Sequence, residues 1–126
     1  MLNESQSQLI GIARGLMRQP PLLLFDDIAS SHTLHEGGVK KILKCLDNVV
    51  GVRIGQDTTI IVSQQLIAIS SADKIIVLIN GRIVEQGTHY ELMDNQGWYA
   101  TNWILEREKD EERERREREQ ESVKSI

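Results

Sequence analysis

The chain has 126 residues, of which 40% are hydrophobic, and a formal net charge of −4. This length and hydrophobic content suit one small domain with a core. An acidic balance without a basic patch excludes nucleic acid as the main partner. No apolar stretch approaches the ~20 residues that cross a bilayer, and the N-terminus lacks the basic start and apolar core of a signal peptide. We therefore expect a cytoplasmic chain that reaches a membrane only through a partner.

The first predicted element is a helix, because five apolar residues recur at helical spacing: Leu9, Ile12, Ala13, Leu16 and Met17. Pro20 and Pro21 stop this helix before a predicted strand from Leu22 to Phe25. Ser5 and Gln6 are expected as helix-start residues, since serine caps helices well.

A second helix is predicted around Val39, Ile42, Leu43 and Leu46. The polar, glycine-containing stretch from Asn48 to Asp57 is predicted to be a linker. It leads to a β-branched run from Thr58 to Ser63, which is typical of a buried strand. Helices and strands in alternation predict an α/β layered fold with a mostly parallel sheet and flanking helices.

The next predicted elements form a hairpin and a short helix. A strand from Lys74 to Ile79 meets Asn80-Gly81, which is a favoured hairpin turn, and the chain returns from Arg82 to Glu85. Thr88 followed by Glu91 is a capping box for the helix. His89 lies in this turn, and we expect it to make capping or surface contacts.

The C-terminal segment is highly charged: Glu106 to Glu121 contains six basic and nine acidic residues in sixteen positions. These residues are good helix formers, and neither proline nor glycine occurs from Trp98 onward. Apolar heptad positions are absent after Leu105, which argues against a coiled coil. We predict a domain over residues 1–105 and a charged, solvated helical tail over 106–126 with a frayed, disordered end.

Several short segments follow one another in an order that chance does not reproduce. They are Leu2 to Gln6, Leu22 to Asp27, Ser30 to Thr33, Gln64, and the run from Ala72 to Leu92. In this order they resemble the C-terminal half of the nucleotide-binding domain of an ATP-binding cassette (ABC) transporter of the exporter type. The resemblance covers Leu2 to about Leu105 and implies part of a P-loop NTPase fold. The G-x-x-x-x-G-K-[ST] loop, Walker A, which cradles the phosphates, does not occur in the sequence.

The resemblance implies a role for each segment. Asp26 matches the Walker B aspartate, which holds Mg²⁺ through water when a nucleotide is present. Asp27 stands at the position of the catalytic glutamate, and Gln64 stands at that of the switch histidine. Ser31 and Thr33 stand at D-loop positions. The signature that contacts the ATP of a partner subunit corresponds to Leu2, Asn3, Glu4, Ser5 and Gln6.

Several of these positions depart from the family pattern. Asp27 is one methylene shorter than glutamate, and general-base action depends first on hydrogen-bond reach. Gln64 cannot carry the positive charge or shuttle the proton of a histidine. Glu4 adds negative charge and bulk where a phosphate would approach the helix start. The resemblance implies ATP and Mg²⁺ as ligands of the family, and we expect this chain alone neither to bind nor to hydrolyse ATP.

The resemblance also implies partners: another nucleotide-binding domain or a chain that supplies Walker A, and the transmembrane domains of a transporter. Without the phosphate-loop strand of the family, the retained strands must close the gap, leave an edge unpaired, or accept a strand from another chain. Two functions remain open. The chain is part of a transport ATPase, or it is a non-enzymatic interaction or remnant protein that keeps the cassette fold. The transported substrate is not encoded in these segments.

Overall fold

The computed structural model describes residues 1–27, 36–53 and 58–126, which form two compact units, Met1–Ser71 and Ala72–Ile126. The first unit contains α1 (Glu4–Met17), β1 (Leu22–Asp26), α2 (Glu36–Arg53), β2 (Thr58–Val62) and α3 (Leu66–Ile69). The second contains β3 (Ile75–Ile79), β4 (Arg82–Gly87), α4 (His89–Asn95) and α5 (Trp98–Lys124). The predicted mixed α/β class is confirmed.

Helix α1 ends at Met17, ahead of the two prolines, as the sequence predicts. Ser5 and Gln6 lie in its first turn, as expected, but the N-cap is Asn3 and not Ser5. The Asn3 side chain accepts the backbone N–H of Gln6 at 2.9 Å, and the Gln6 side chain accepts that of Asn3 at 3.0 Å. This reciprocal capping box satisfies two of the amides that a helix start leaves without an intrahelical partner.

Strands β1 and β2 pair in parallel, with Leu24 opposite Ile60 and Asp26 opposite Val62. Side chains alternate between the two faces of a strand, so Leu23 and Phe25 of β1 are buried on one face. The prediction of a buried strand at β2 is wrong, since its residues are exposed or half-buried in alternation. Its β-branched run predicted a strand correctly but did not indicate whether both faces are covered.

The core of the first unit lies on the Leu23 side of this strand pair. It is built from Ile12, Leu23, Phe25, Ile42, Leu46 and Val49. Helix α1 approaches β1 closely, because a Cβ added at Gly15 would lie 3.3 Å from Leu23 Cδ1. Helices α1 and α2 thus cover one face of the pair.

The predicted linker from Asn48 is wrong over its first half, because α2 continues to Arg53. The apolar stripe explains the extension: Val49 follows Leu46 by three residues and is buried in the same core. Burial of this side chain outweighs the modest helix cost of the glycine at position 51. Residues 54–57 lie outside the described part of the chain.

The second unit begins with the predicted hairpin, which is confirmed. Asn80 and Gly81 both have positive φ, 50° and 74°, as a type I′ turn requires. Strands β3 and β4 are antiparallel, with a register shift between Val77 and Leu78. Among the described strands there is therefore one parallel pair and one antiparallel pair, and the predicted mostly parallel sheet is not what these strands form.

Helices α4 and α5 meet through aromatic side chains. The Thr88 and Glu91 capping box at the start of α4 is confirmed. His89 packs against α5: its Nδ1 lies 2.9 Å from the hydroxyl of the fully buried Tyr99, and its ring lies 4.6 Å from that of Trp103. The expected capping or surface contact at His89 is therefore an interhelical contact.

Helix α5 continues past Leu105 to Lys124 as one element. Arg107 lies 5.1 Å from the centre of the Trp103 ring, and Asp110 forms ion pairs with Arg107 and Arg113 at 2.9 Å each. Further pairs at four-residue spacing join Arg116 to Glu112 and Arg118 to Glu114. Such pairs each stabilise a solvated helix by about 0.2–0.5 kcal/mol.

Candidate functional site

The carboxyl ends of β1 and β2 form the candidate site. In a parallel pair these ends meet at one edge of the sheet. Asp26 is the last residue of β1 and lies opposite Val62, the last residue of β2. The backbone N–H of Asp27 donates to the carbonyl oxygen of Val62 at 2.9 Å, so the pairing extends past the strand end. The edge therefore brings the two adjacent carboxylates beside the segment that carries Gln64.

The backbone of Asp27 is left-handed, with φ at 51°. Aspartate tolerates this conformation better than most residues because its short polar side chain can hydrogen-bond locally. The left-handed residue turns the chain sharply at the strand end. Both Asp26 and Asp27 are exposed, so water reaches the two carboxylates directly.

Gln64 follows β2 in a bend that Ser63 holds. The Ser63 hydroxyl accepts the backbone N–H of Gln65 at 3.0 Å, and α3 begins directly after at Leu66. Gln64 itself is exposed. Ser63 was not among the predicted site residues; a serine just after a strand and three residues before a helix is the signal that indicates this turn.

The side chains at this edge are of the kind that binds Mg²⁺, but they are too few to hold the ion by themselves. Carboxylate oxygens are the ligands that Mg²⁺ prefers, and Asp26 and Asp27 supply two carboxylates. In the described part of the chain, His, Cys, Asp and Glu nowhere form a group of three or more that could hold a metal ion. An ion at this edge would take its other ligands from water and from nucleotide phosphates.

The signature-like residues lie at the start of α1. All five are exposed or, in the case of Ser5, half-buried. The Ser5 hydroxyl donates to Asn3 Oδ1 at 2.8 Å, within the capping box. Glu4 is the acidic residue of the first turn. Its negative charge interacts favourably with the helix dipole there but repels an approaching phosphate. The predicted D-loop residues Ser31 and Thr33 lie outside the described residues.

Comparison with known proteins finds that the chain is similar to transporters, although no protein-family profile matches it. The chain is 40% identical over 101 residues to an ATP-dependent lipid A-core flippase of Alkalilimnicola ehrlichii, which is 80% of this chain and 16% of the flippase. It is 42% identical over 100 residues to multidrug resistance protein 1 of Entamoeba histolytica, covering 79% of this chain and 7% of that protein. It is also 35% identical over 104 residues to the mitochondrial iron-sulfur clusters transporter atm1 of Neurospora crassa, covering 82% and 14%.

A solved structure gives the same assignment. A bacterial Atm1-family ABC exporter with ATP bound matches 82% of this chain with a TM-score of 0.65 and 35% sequence identity. The match covers 17% of the exporter chain. The present chain thus spans about a sixth or less of the length of these transporters.

The predicted cytoplasmic location is wrong, because the homologues of the chain are membrane exporters. Across the described ranges, no helix has the length and apolar character needed to cross a bilayer.

The matched sequences and the matched structure agree, and the homologues of this chain are ABC exporters, which align with about 80% of its residues.

Proposed function

We propose that the chain is the C-terminal part of the nucleotide-binding domain of an ABC exporter, with degenerate hydrolysis positions. Alone it neither binds nor hydrolyses ATP, and it acts with a segment that supplies Walker A and with transmembrane domains. The observation that carries this proposal is the shared edge of β1 and β2, where Asp26 and Asp27 lie beside the segment of Gln64.

The edge supports a role next to a nucleotide in three ways. Ligands of open α/β sheets bind at the carboxyl ends of parallel strands. Asp26 is exposed there and would hold Mg²⁺ through water. When bound, the ion neutralises phosphate charge and orients the phosphates. Asp26 therefore has a ligand-positioning role in the proposal.

The same edge supports the loss of hydrolysis. Asp27 has the carboxylate of a general base, but its side chain is shorter by one methylene than the glutamate of the family. The left-handed backbone of Asp27 also sets the direction in which this short side chain leaves the main chain. Gln64 has no titratable group. These two positions would hold a water molecule poorly and could not exchange its proton efficiently.

The first experiment is thermal unfolding of the purified full chain with and without Mg²⁺ and ATP. We expect no shift, since a ligand stabilises a fold only in proportion to its binding. The nucleotide-binding domain of the A. ehrlichii flippase serves as the positive control. A clear upward shift of the present chain would contradict the claim that it does not bind ATP alone.

A second experiment tests the positive part of the proposal. The matched stretch of the A. ehrlichii flippase domain is replaced by residues 1–105 of this chain, and Mg²⁺-ATP binding and phosphate release are measured. We expect binding with little hydrolysis, and we expect Asp27→Glu with Gln64→His to raise hydrolysis by at least about tenfold. A hybrid that folds but does not bind ATP would favour a non-enzymatic protein that keeps the cassette fold.

A further inference from the structure

The turn between β3 and β4 joins an asparagine directly to a glycine. Asn80 is exposed, and within the described part of the chain its side-chain amide makes no hydrogen bond. The sequence contains other asparagines, but none of them is followed by glycine. Asn3 and Asn102 also use their side chains to bond the backbone of α1 and α5. Asn80 therefore combines a free amide with a glycine neighbour.

This combination brings together the two groups of a known covalent reaction. The side-chain carbonyl carbon of an asparagine is an electrophile, and a bond from the next backbone nitrogen to this carbon closes a five-membered ring. Glycine has no Cβ that would crowd this nitrogen. The strand ladder closes with Ile79 opposite Arg82, so the N–H of Gly81 lies in the loop and not in the ladder. Ring closure thus breaks no hydrogen bond between the strands.

We propose that Asn80 is a site of spontaneous deamidation through a cyclic imide with Gly81. The Gly81 nitrogen attacks Cγ of Asn80, and an N–Cγ bond forms. The Cγ–Nδ2 bond breaks, and ammonia leaves with the proton of the Gly81 amide. Water is the co-reactant that then opens the imide at one of its two carbonyls. Opening at Cγ gives aspartate, whereas opening at the main-chain carbonyl gives isoaspartate, in which the backbone runs through the former side chain.

The two products differ in their effect on the turn. Asn80 and Gly81 both have positive φ, which a type I′ turn requires. Aspartate followed by glycine also fits this turn, so the aspartate product mainly adds a negative charge. Isoaspartate adds one carbon to the backbone, and the two-residue loop no longer matches the closing pair of Ile79 and Arg82. Isoaspartate is therefore the product that opens the hairpin.

Opening of the hairpin reaches α5 through β4. Glu85 lies on β4 opposite Val77, and its carboxylate accepts the backbone N–H of Tyr99 at 2.8 Å. The position of this carboxylate depends on the pairing of β4 with β3. Its displacement leaves an amide in the first turn of α5 without a partner, since a helix start has no intrahelical acceptor for it. Deamidation at the turn thus loosens the start of α5 as the chain ages.

The test is incubation of the purified full chain at neutral and at mildly alkaline pH. Peptide mass spectrometry measures the replacement of each asparagine amide by a carboxylate, and backbone fragmentation distinguishes isoaspartate from aspartate. Asn95 is the internal control, because it is exposed but is followed by glutamine. Asn80→Gly is the matched variant, since Gly-Gly fits the same turn and has no side-chain amide. Circular dichroism checks that this variant folds.

We expect Asn80 to deamidate at least about tenfold faster than Asn95, because glycine leaves the attacking nitrogen uncrowded. The rate should rise with pH, since the nitrogen attacks after it loses its proton. Both isoaspartate and aspartate should form. Hydrogen exchange at the amide of Tyr99 should be faster in the aged chain than in the fresh chain. In the Asn80→Gly variant it should not change with age.

Equal rates at Asn80 and Asn95 in the folded chain would overturn the inference, and this comparison does not depend on any variant. Aspartate as the sole product would also overturn it, because a cyclic imide opens at both carbonyls. Unchanged exchange at Tyr99 in a chain that carries isoaspartate would contradict the effect on α5.

Discussion

The carboxylate of Glu85 on β4 accepts the backbone N–H of Tyr99, in the first turn of α5, at 2.8 Å. Gly97, the N-cap of α5, has no side chain to do this. A residue fourteen positions earlier thus caps the long helix and ties it to the hairpin. The helix dipole makes this a favourable place for a negative charge.

Removal of this carboxylate should loosen α5. We expect Glu85→Ala to lower the free energy of unfolding of the second unit by about 1–3 kcal/mol, because the bond is charge-assisted and its loss leaves the Tyr99 amide unpaired. Hydrogen exchange at the first amides of α5 measures the effect locally. Gln86→Ala, at the exposed neighbouring residue, is the control and should change little.

Gly97 should be sensitive for the same reason. A Cβ at this position would overlap the carboxylate of Glu85. Gly97→Ala should therefore displace Glu85 from Tyr99 and destabilise the unit by a similar amount. In a double-mutant cycle the Glu85→Ala and Gly97→Ala effects should be clearly less than additive. Additive effects would show that Gly97 matters for a reason other than leaving space for the Glu85 carboxylate.

Tyr99 should make the second unit sensitive to alkaline pH. Burial raises the pKa of Tyr99, and the nearby Glu106 carboxylate raises it further. The folded chain thus holds the phenol protonated more firmly than the unfolded chain does. Its contribution to stability is complete below the ordinary tyrosine pKa, near 10, and is lost as pH rises through the higher folded value.

Tyr99→Phe checks this sign. At neutral pH the variant should be less stable by about 0.5–1.5 kcal/mol, since it lacks the hydrogen bond to His89. Between pH 9.5 and 11 the deficit should shrink or reverse, because phenylalanine does not titrate. Melting temperatures of both proteins across this range give the comparison, in which the other titrating groups are shared. A deficit that is constant with pH would contradict the prediction.

Asp27 offers a test of conformational strain at the candidate site. Asp27→Glu should cost about 0.5–1 kcal/mol, because glutamate lacks the local hydrogen bonding that lets aspartate adopt positive φ. Asp27→Gly should be neutral or stabilising. Asp26→Glu, at an ordinary extended backbone, is the matched control. If the Asp27→Glu variant has the melting temperature of the unmodified chain, the left-handed backbone imposes no preference for aspartate over glutamate.

The charged part of α5 should depend on salt. Asp110 forms ion pairs with both Arg107 and Arg113, so Asp110→Asn should weaken two pairs at once, each by about 0.2–0.5 kcal/mol. We expect a loss of helical circular dichroism in low salt that largely disappears near 1 M salt, where such pairs are screened. Glu119→Gln is the control for a single charge removed nearer the end of α5. A loss of helical signal that persists in high salt would indicate a change in intrinsic helix propensity and not in ion pairing.

Local patterns in the sequence determined most of the elements. Helical spacing located α1, the Asn80-Gly81 pair located the hairpin, and Thr88 with Glu91 located α4, because each signal depends only on neighbouring residues. Local signals failed where a distant contact decided the outcome. Val49 extends α2 because it reaches the core around Leu23, which no window of local residues contains.

The same division applies to the candidate site. The sequence by itself determined that Asp26 and Asp27 end a strand and that Gln64 follows another, and it indicated an ABC exporter. Only the tertiary structure decided that these positions share one edge, because parallel pairing of β1 with β2 joins residues some 36 positions apart. The tertiary structure also decided that one face of the pair is buried and the other exposed. The alternation of side chains along a strand defines two faces but does not say which of them packs against a helix.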